Sequence, residues 1–146
     1  MKQILSTITL FLLLQVTHAQ AAEVVTLTQT ACQIIEAEAD MQHYKADRAD
    51  ACEAVNEKTG ELRLQKATAL RLKAGDYIFR VSNKDVPYAL GFWLRGVGLS
   101  RYTLPSVSGG GLHTGDTKDY RVRLEAGEYR YSCPLNPTPD YVLFVD

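Results

Sequence analysis

Three prolines, Pro134, Pro137 and Pro139, fall between two apolar-rich runs, Tyr129–Cys133 and Tyr141–Val145. Proline fixes φ and has no N–H to give to a sheet, so 134–140 is excluded from any central strand. It reads as a short, stiff loop that joins two strands. Successive side chains of a strand point to opposite faces, so Tyr129, Tyr131 and Cys133 share one face while Arg130 and Ser132 share the other. Cys133 is thereby expected to point inward at the end of its strand.

The same alternation recurs upstream. Tyr77, Phe79 and Val81 fall on one face of a run ending at Ser82, and Tyr120, Val122 and Leu124 alternate with Arg121 and Arg123. One wet face and one buried face are what that pattern demands. Leu72-Lys73-Ala74-Gly75-Asp76-Tyr77 returns almost letter for letter as Leu124-Glu125-Ala126-Gly127-Glu128-Tyr129. This reads as a repeated corner of a sandwich, not a solenoid period. Leu70–Leu72 leads into the first corner. Tyr88–Leu94 is almost wholly apolar, which predicts a strand buried on both faces. Short β-rich runs at Val24–Leu27 and Cys32–Glu36 complete a set of about seven strands, expected to form a two-layer antiparallel sandwich. One helix is expected over Asp47–Lys58, with acidic residues in its first turn and Gly60 ending it.

At the N-terminal side, Lys2 precedes an apolar run, Ile8 to Leu14, and Ala19-Gln20-Ala21 has the small-x-small pattern of a signal-peptide cleavage site. Cleavage after Ala21 is expected, leaving 22–146 as one exported domain, periplasmic or secreted. The apolar run is too short for a spanning helix and no later stretch approaches the roughly 20 apolar residues that a bilayer needs, so no membrane span is expected in the mature form. Without Lys2 the chain carries 15 basic and 17 acidic side chains. Its arginines are spread along strands instead of forming a basic stripe, which argues against a nucleic-acid partner.

The chain has three cysteines, so pairing of two leaves one over. Cys32 lies before the expected helix and Cys52 within it, and a bridge between them would staple the helix to the sheet, adding about 3 kcal/mol on a chain-entropy account. Glu36, Glu38, Asp40 and His43 have the residue types of a hard-metal site and equally those of a solvated strand face. The glycine-rich stretches, Arg95–Gly98 and Pro105–Gly111, have no helix behind them as a phosphate-binding loop requires, and read as connectors of a long crossover. If both Ala-Gly corners lie at one end of the sandwich, Tyr88, His113 and Cys133 lie at the other and can converge.

From Leu70 to Asp146, the order of Ala-Gly-acid-Tyr strand, Asn83-Lys84-Asp85-Val86-Pro87 loop, glycine-rich crossover, second Ala-Gly-acid-Tyr strand and terminal Cys133 loop resembles a small cupredoxin. It is most similar to the divergent periplasmic cupredoxin-like domains, including those attached to iron-uptake proteins. The resemblance implies an all-β Greek-key sandwich and a type 1 copper site whose thiolate is Cys133. A thiol meant for metal must stay unpaired, which agrees with Cys32 bridging Cys52. The chain departs from the blue-copper pattern, a trigonal His₂Cys site with a weak axial ligand, in its other ligands. Tyr88 stands where one His is expected, and Asn136 to Asp140 stand where a second His and a Met would follow. Only His43 and His113 remain after the leader. Two functions follow. One is copper or other transition-metal carriage or electron transfer, with Cys133 as the main ligand, His113 and Tyr88 as helpers, and a periplasmic redox or metal-handling protein as partner. The other is a metal-free module that binds a protein partner or assembles through Trp93, Pro134, Asn136, Pro137 and Tyr141. No Ser/His/Asp set is in a credible arrangement, so an enzyme is not expected.

Overall fold

The computed structural model describes residues 21–38 and 40–146; the leader read at 1–21 lies, apart from Ala21, outside them. The described residues form nine strands: β1 (Glu23–Thr30), β2 (Gln33–Ile34), β3 (Leu70–Leu72), β4 (Gly75–Asn83), β5 (Leu90–Gly96), β6 (Val107–Leu112), β7 (Thr117–Leu124), β8 (Gly127–Ser132) and β9 (Tyr141–Val145). One α-helix, α1 (Ala49–Lys66), stands between β2 and β3. The strands make two sheets, β2-β1-β4-β7 and β3-β9-β8-β5-β6, in a mostly β, sandwich-like arrangement. Phe79 of β4 stacks on Phe92 of β5 with ring centroids 5.5 Å apart, and Phe92 meets Tyr120 of β7 at 5.1 Å. These rings fill the space between the sheets, as the alternation of β4 and β7 requires.

Several expectations need correction. The sandwich is not wholly antiparallel: β1 runs parallel to β4 and β3 parallel to β9. Parallel neighbours need a crossover long enough to return the chain to the same end, and α1 with its flanking segments supplies it between β1 and β4. The helix is longer than expected and passes through Gly60 to Lys66. Gly60 is buried and sits against Asn56, where a Cβ would lie 3.2 Å from its Oδ1. Its lack of a side chain serves packing there, not termination. The run from Cys32 leaves the sheet after Ile34 in a short 3-10 turn, Ile35–Ala37. Strand β5 begins at Leu90, and Trp93 on it is 41% exposed, so that strand is buried on one face only. Val107–Leu112 is a strand and not a connector, because β5 supplies the pairing that its glycines could not announce.

The two Ala-Gly corners do lie together, since Gly75 pairs with Leu124 across β4 and β7. Cys133, the β4–β5 loop and the β6–β7 turn are therefore at the opposite end. Tyr129 fixes its corner by donating its hydroxyl proton to the Glu125 carbonyl at 2.9 Å, while the Glu125 N–H donates back to that oxygen at 3.3 Å. The outer strands are also tied down. Lys118 Nζ of β7 donates to the Gly110 carbonyl of β6 at 2.9 Å, and the Thr68 N–H donates to the Ala37 carbonyl at 2.9 Å. Tying the margins together limits the unpaired edge that would otherwise invite aggregation.

Candidate functional site

At the end of β8 the inward face continues unbroken from Tyr129 and Tyr131, both fully buried, to Cys133 at 1% exposure. The thiol sulfur accepts from two backbone N–H groups, Asn136 at 3.2 Å and Gly91 at 3.4 Å. Gly91 has no room for a side chain here, since a Cβ would come within 2.7 Å of the Gly109 carbonyl oxygen. Burial raises the Cys133 pKa despite these donors and the nearby Gln29 carboxamide. Cys133 is thus a protonated, buried thiol at neutral pH. It is the free cysteine, for Cys32 and Cys52 are bridged as expected.

The loop 134–140 wraps around Asn136, which is fully buried. Its Oδ1 accepts from the Cys32 N–H at 2.8 Å and the Tyr88 hydroxyl at 3.3 Å, and its Nδ2 donates to the Thr30 carbonyl at 2.8 Å. Cys52 Sγ lies 3.1 Å from the same Oδ1. A disulfide sulfur carries no proton, so this is a close contact and not a hydrogen bond. Cys32 itself holds φ at 62°, a left-handed conformation uncommon for a residue with a Cβ, and the Asn136 contact and the bridge hold it there. One carboxamide thereby joins the Cys133 loop, the β1–β2 turn, the disulfide and Tyr88.

Tyr88 and Cys133 are thus brought together, through Asn136. Burial, then the neighbouring Cys133, raises the Tyr88 pKa, so its phenol is neutral at physiological pH. His113 is exposed in the β6–β7 turn, where its backbone N–H donates to Asp116 Oδ2 at 3.1 Å. A type 1 copper ion needs two imidazoles and an ionised sulfur facing a common point. Here the sulfur is buried, protonated and already accepting two N–H groups, one of them from Asn136, whose side chain lies against the disulfide. The residues present do not fit that ion in this arrangement.

The acidic set is likewise dispersed. Glu36 is exposed and accepts from the Thr28 N–H at 2.7 Å, and Asp40 and His43 are exposed. Glu38 instead forms an ion pair with Arg63 at 2.6 Å, both side chains being less than a tenth exposed. Arg63 Nη2 also donates to the Cys32 carbonyl at 2.8 Å, the Tyr141 hydroxyl donates to Glu38 Oε1, and the guanidinium stacks over Tyr44. Burial works against the Arg63 charge, but the Glu38 hydrogen bond together with the nearby Tyr141, Glu38 and Tyr44 groups outweighs it, and the Arg63 pKa is raised. Among the described residues, no group of three or more His, Cys, Asp or Glu side chains is placed to hold a metal.

Of the expected partner surface, Trp93 and Pro134 are exposed and Pro137 half-buried, whereas Asn136 and Tyr141 are fully buried and belong to the interior instead. Leu135, at 45% exposure, extends it. Arg95 stacks over the Trp93 ring at 3.9 Å and pairs with Asp140 at 2.7 Å, so the exposed indole is held in place. Two residues that order this end were not singled out from the sequence. Arg63 gave no signal. Asn83, at the end of β4, could have been found from its position before a loop. Its Nδ2 donates to the carbonyls of Val86, Tyr88 and Leu112 at 3.1–3.2 Å, joining the β4–β5 loop to the end of β6.

No protein-family model and no curated protein sequence matches the chain. Among the described residues no helix is long and apolar enough to cross a membrane.

Proposed function

We propose that the chain is an exported, non-enzymatic cupredoxin-like domain that works without a metal, as a protein-interaction or assembly module. The single observation that carries this reading is the state of Cys133. The sulfur in the ligand position accepts from the Gly91 and Asn136 N–H groups at 1% exposure, and Asn136 is committed to the disulfide side of the site. The Greek-key, cupredoxin-like assignment is supported by the place of β8. It lies between β9 and β5, is followed directly by Cys133, and passes through a short proline loop into the last strand. The hydroxyl corner at Tyr129 adds support, since such corners occur in sandwiches with Greek-key connections. The Cys32–Cys52 bridge supports an oxidising compartment.

On this reading Trp93, Pro134 and Leu135 form the contact surface, with Arg95 and Asp140 at its rim. Aromatic residues set in a polar rim are what protein interfaces favour. The test is a metal analysis of the exported protein followed by Cu(II) and Cu(I) titration. The expected result is no stoichiometric metal and no thiolate charge-transfer band. A band that appears in the native protein and disappears in Cys133→Ser would replace this reading with copper carriage or electron transfer through Cys133, helped by His113 and Tyr88.

A further inference from the structure

The helix α1 is attached to the sandwich in an unusual way. Over its 18 residues only Cys52, Gly60 and Arg63 are buried. Leu62 and Leu64 are exposed, so no apolar stripe holds the helix down. No side chain caps its N-terminus, and Asn56, Thr59 and Gly60 are weak helix formers in its middle. An isolated helix of such composition and length is marginal in water. Its attachment reduces to two anchors. The N-terminal half hangs on the Cys52 bridge, around which Ala31, Cys32, Tyr44, Ala46 and Val55 cluster. The C-terminal half hangs on Arg63, with its bonds to Glu38 and the Cys32 carbonyl.

We propose that the Cys32–Cys52 bridge is a redox latch: its reduction frees the N-terminal half of α1 while Arg63 keeps the other half docked, uncovering the Cys133 end of the sandwich. The reductant is a dithiol. Its thiolate attacks one sulfur of the bridge, the Cys32–Cys52 S–S bond breaks with the other cysteine leaving as a thiolate that takes up a proton, and a mixed disulfide forms on the attacked sulfur. Its second thiol then displaces that sulfur, so two electrons and two protons pass to Cys32 and Cys52 and the dithiol leaves as a cyclic disulfide. Both bridge sulfurs are buried, so attack follows a local opening of the helix, which its sparse packing makes accessible. Gly60 lies between the anchors and is the place where the chain bends most easily. What becomes exposed is the turn Ala31–Cys32, Asn136 and the half-buried Tyr88, which adjoin the exposed loop residues Pro134 and Leu135. The latch stands on the anchoring of the helix alone, whatever docks at that end.

The experiment is hydrogen–deuterium exchange read by mass spectrometry on the full chain, oxidised and after dithiol treatment in native buffer. A bridge closing a loop of this size raises local opening on the order of a hundredfold when cut. The expected result is exchange accelerated by about that factor over residues 49–57, with residues 61–66 and strands β4, β5 and β8 unchanged. Arg63→Met in the reduced chain should extend the loss of protection to residue 66. The Cys32→Ala/Cys52→Ala double variant should reproduce the reduced pattern without reductant. Retained protection over 49–57 in the double variant overturns the proposal, as does protection lost together in helix and strands. A bridge that resists dithiol in native buffer also overturns it.

Discussion

Replacing Asn136 by alanine removes one side chain to which three groups are bonded. The Cys32 N–H, bonded at 2.8 Å in buried surroundings, loses its partner outright, whereas the Thr30 carbonyl, also bonded at 2.8 Å, keeps Gln33 opposite it in the β1–β2 pair. The Tyr88 hydroxyl, at 3.3 Å and on a half-buried residue, finds water instead. An unsatisfied buried backbone group costs about 1–3 kcal/mol, so the Cys32 N–H predicts a loss of about 2 kcal/mol. For a domain of this size that lowers Tm by on the order of 8 °C. Cys32 also loses the acceptor that supports its left-handed φ, which adds to the loss. The assay is urea unfolding of the oxidised protein followed through Trp93, the single tryptophan. Leu135→Ala, in the same loop but exposed, is the control and should stay within about 0.5 kcal/mol. An Asn136→Ala loss below about 1 kcal/mol would refute the reasoning, because it would mean that the carboxamide ties nothing together.

Glu38→Ala leaves the Arg63 guanidinium buried without its counter-charge and should cost about 3–5 kcal/mol, while Glu38→Leu with Arg63→Met should recover most of the loss in denaturant midpoints. Gly91→Ala pushes a methyl group to 2.7 Å from the Gly109 carbonyl and should destabilise the β5–β6 pair, whereas Gly110→Ala, with its nearest neighbour at 3.5 Å, should be mild; thermal melts of the two report the difference. Burial raises the folded-state pKa of Cys133 and of Tyr88, Tyr120, Tyr129, Tyr131 and Tyr141, so on raising the pH the unfolded chain gives up these protons first. Stability from these groups is therefore intact below the ordinary thiol pKa of 9.0 and falls as pH rises through and beyond the ordinary tyrosine value of 10.0, and a denaturant midpoint that climbs over that range would contradict it.

What could be read before the fold was known was what is local. Tyr77, Phe79 and Val81, or Tyr129, Tyr131 and Cys133, report their faces through a period of two that needs no partner to be seen. The Cys32–Cys52 bridge was legible because one residue precedes the helix and the other lies within it. What was missed is set by distant neighbours. The glycines of β6 carry no periodicity, and the strand exists because β5 pairs with it. Trp93 belongs to an apolar run, yet its place opposite Ser132 turns it outward. Arg63 lies on a helix without an apolar face, so nothing in the pattern marked it as buried. Asn136 shows the limit most clearly. Beside prolines it reads as a surface loop residue, and its burial depends on Thr30 and Cys32, at the other end of the chain.

The last strand, β9, is not at the margin of its sheet. It lies between β3 and β8, with Leu143 opposite both Leu70 and Tyr129. A chain made from its N-terminal end therefore cannot finish this sheet until the final residues of the domain are available. Until then β3 and β8 have open sides and Tyr131 lacks the Tyr141 ring against which it packs at 5.5 Å. Domains whose pairings span such separations fold slowly, because loop closure must come before the contacts that reward it. A chain in transit through a narrow pore would stay open along its whole length, and close only once its tail had passed.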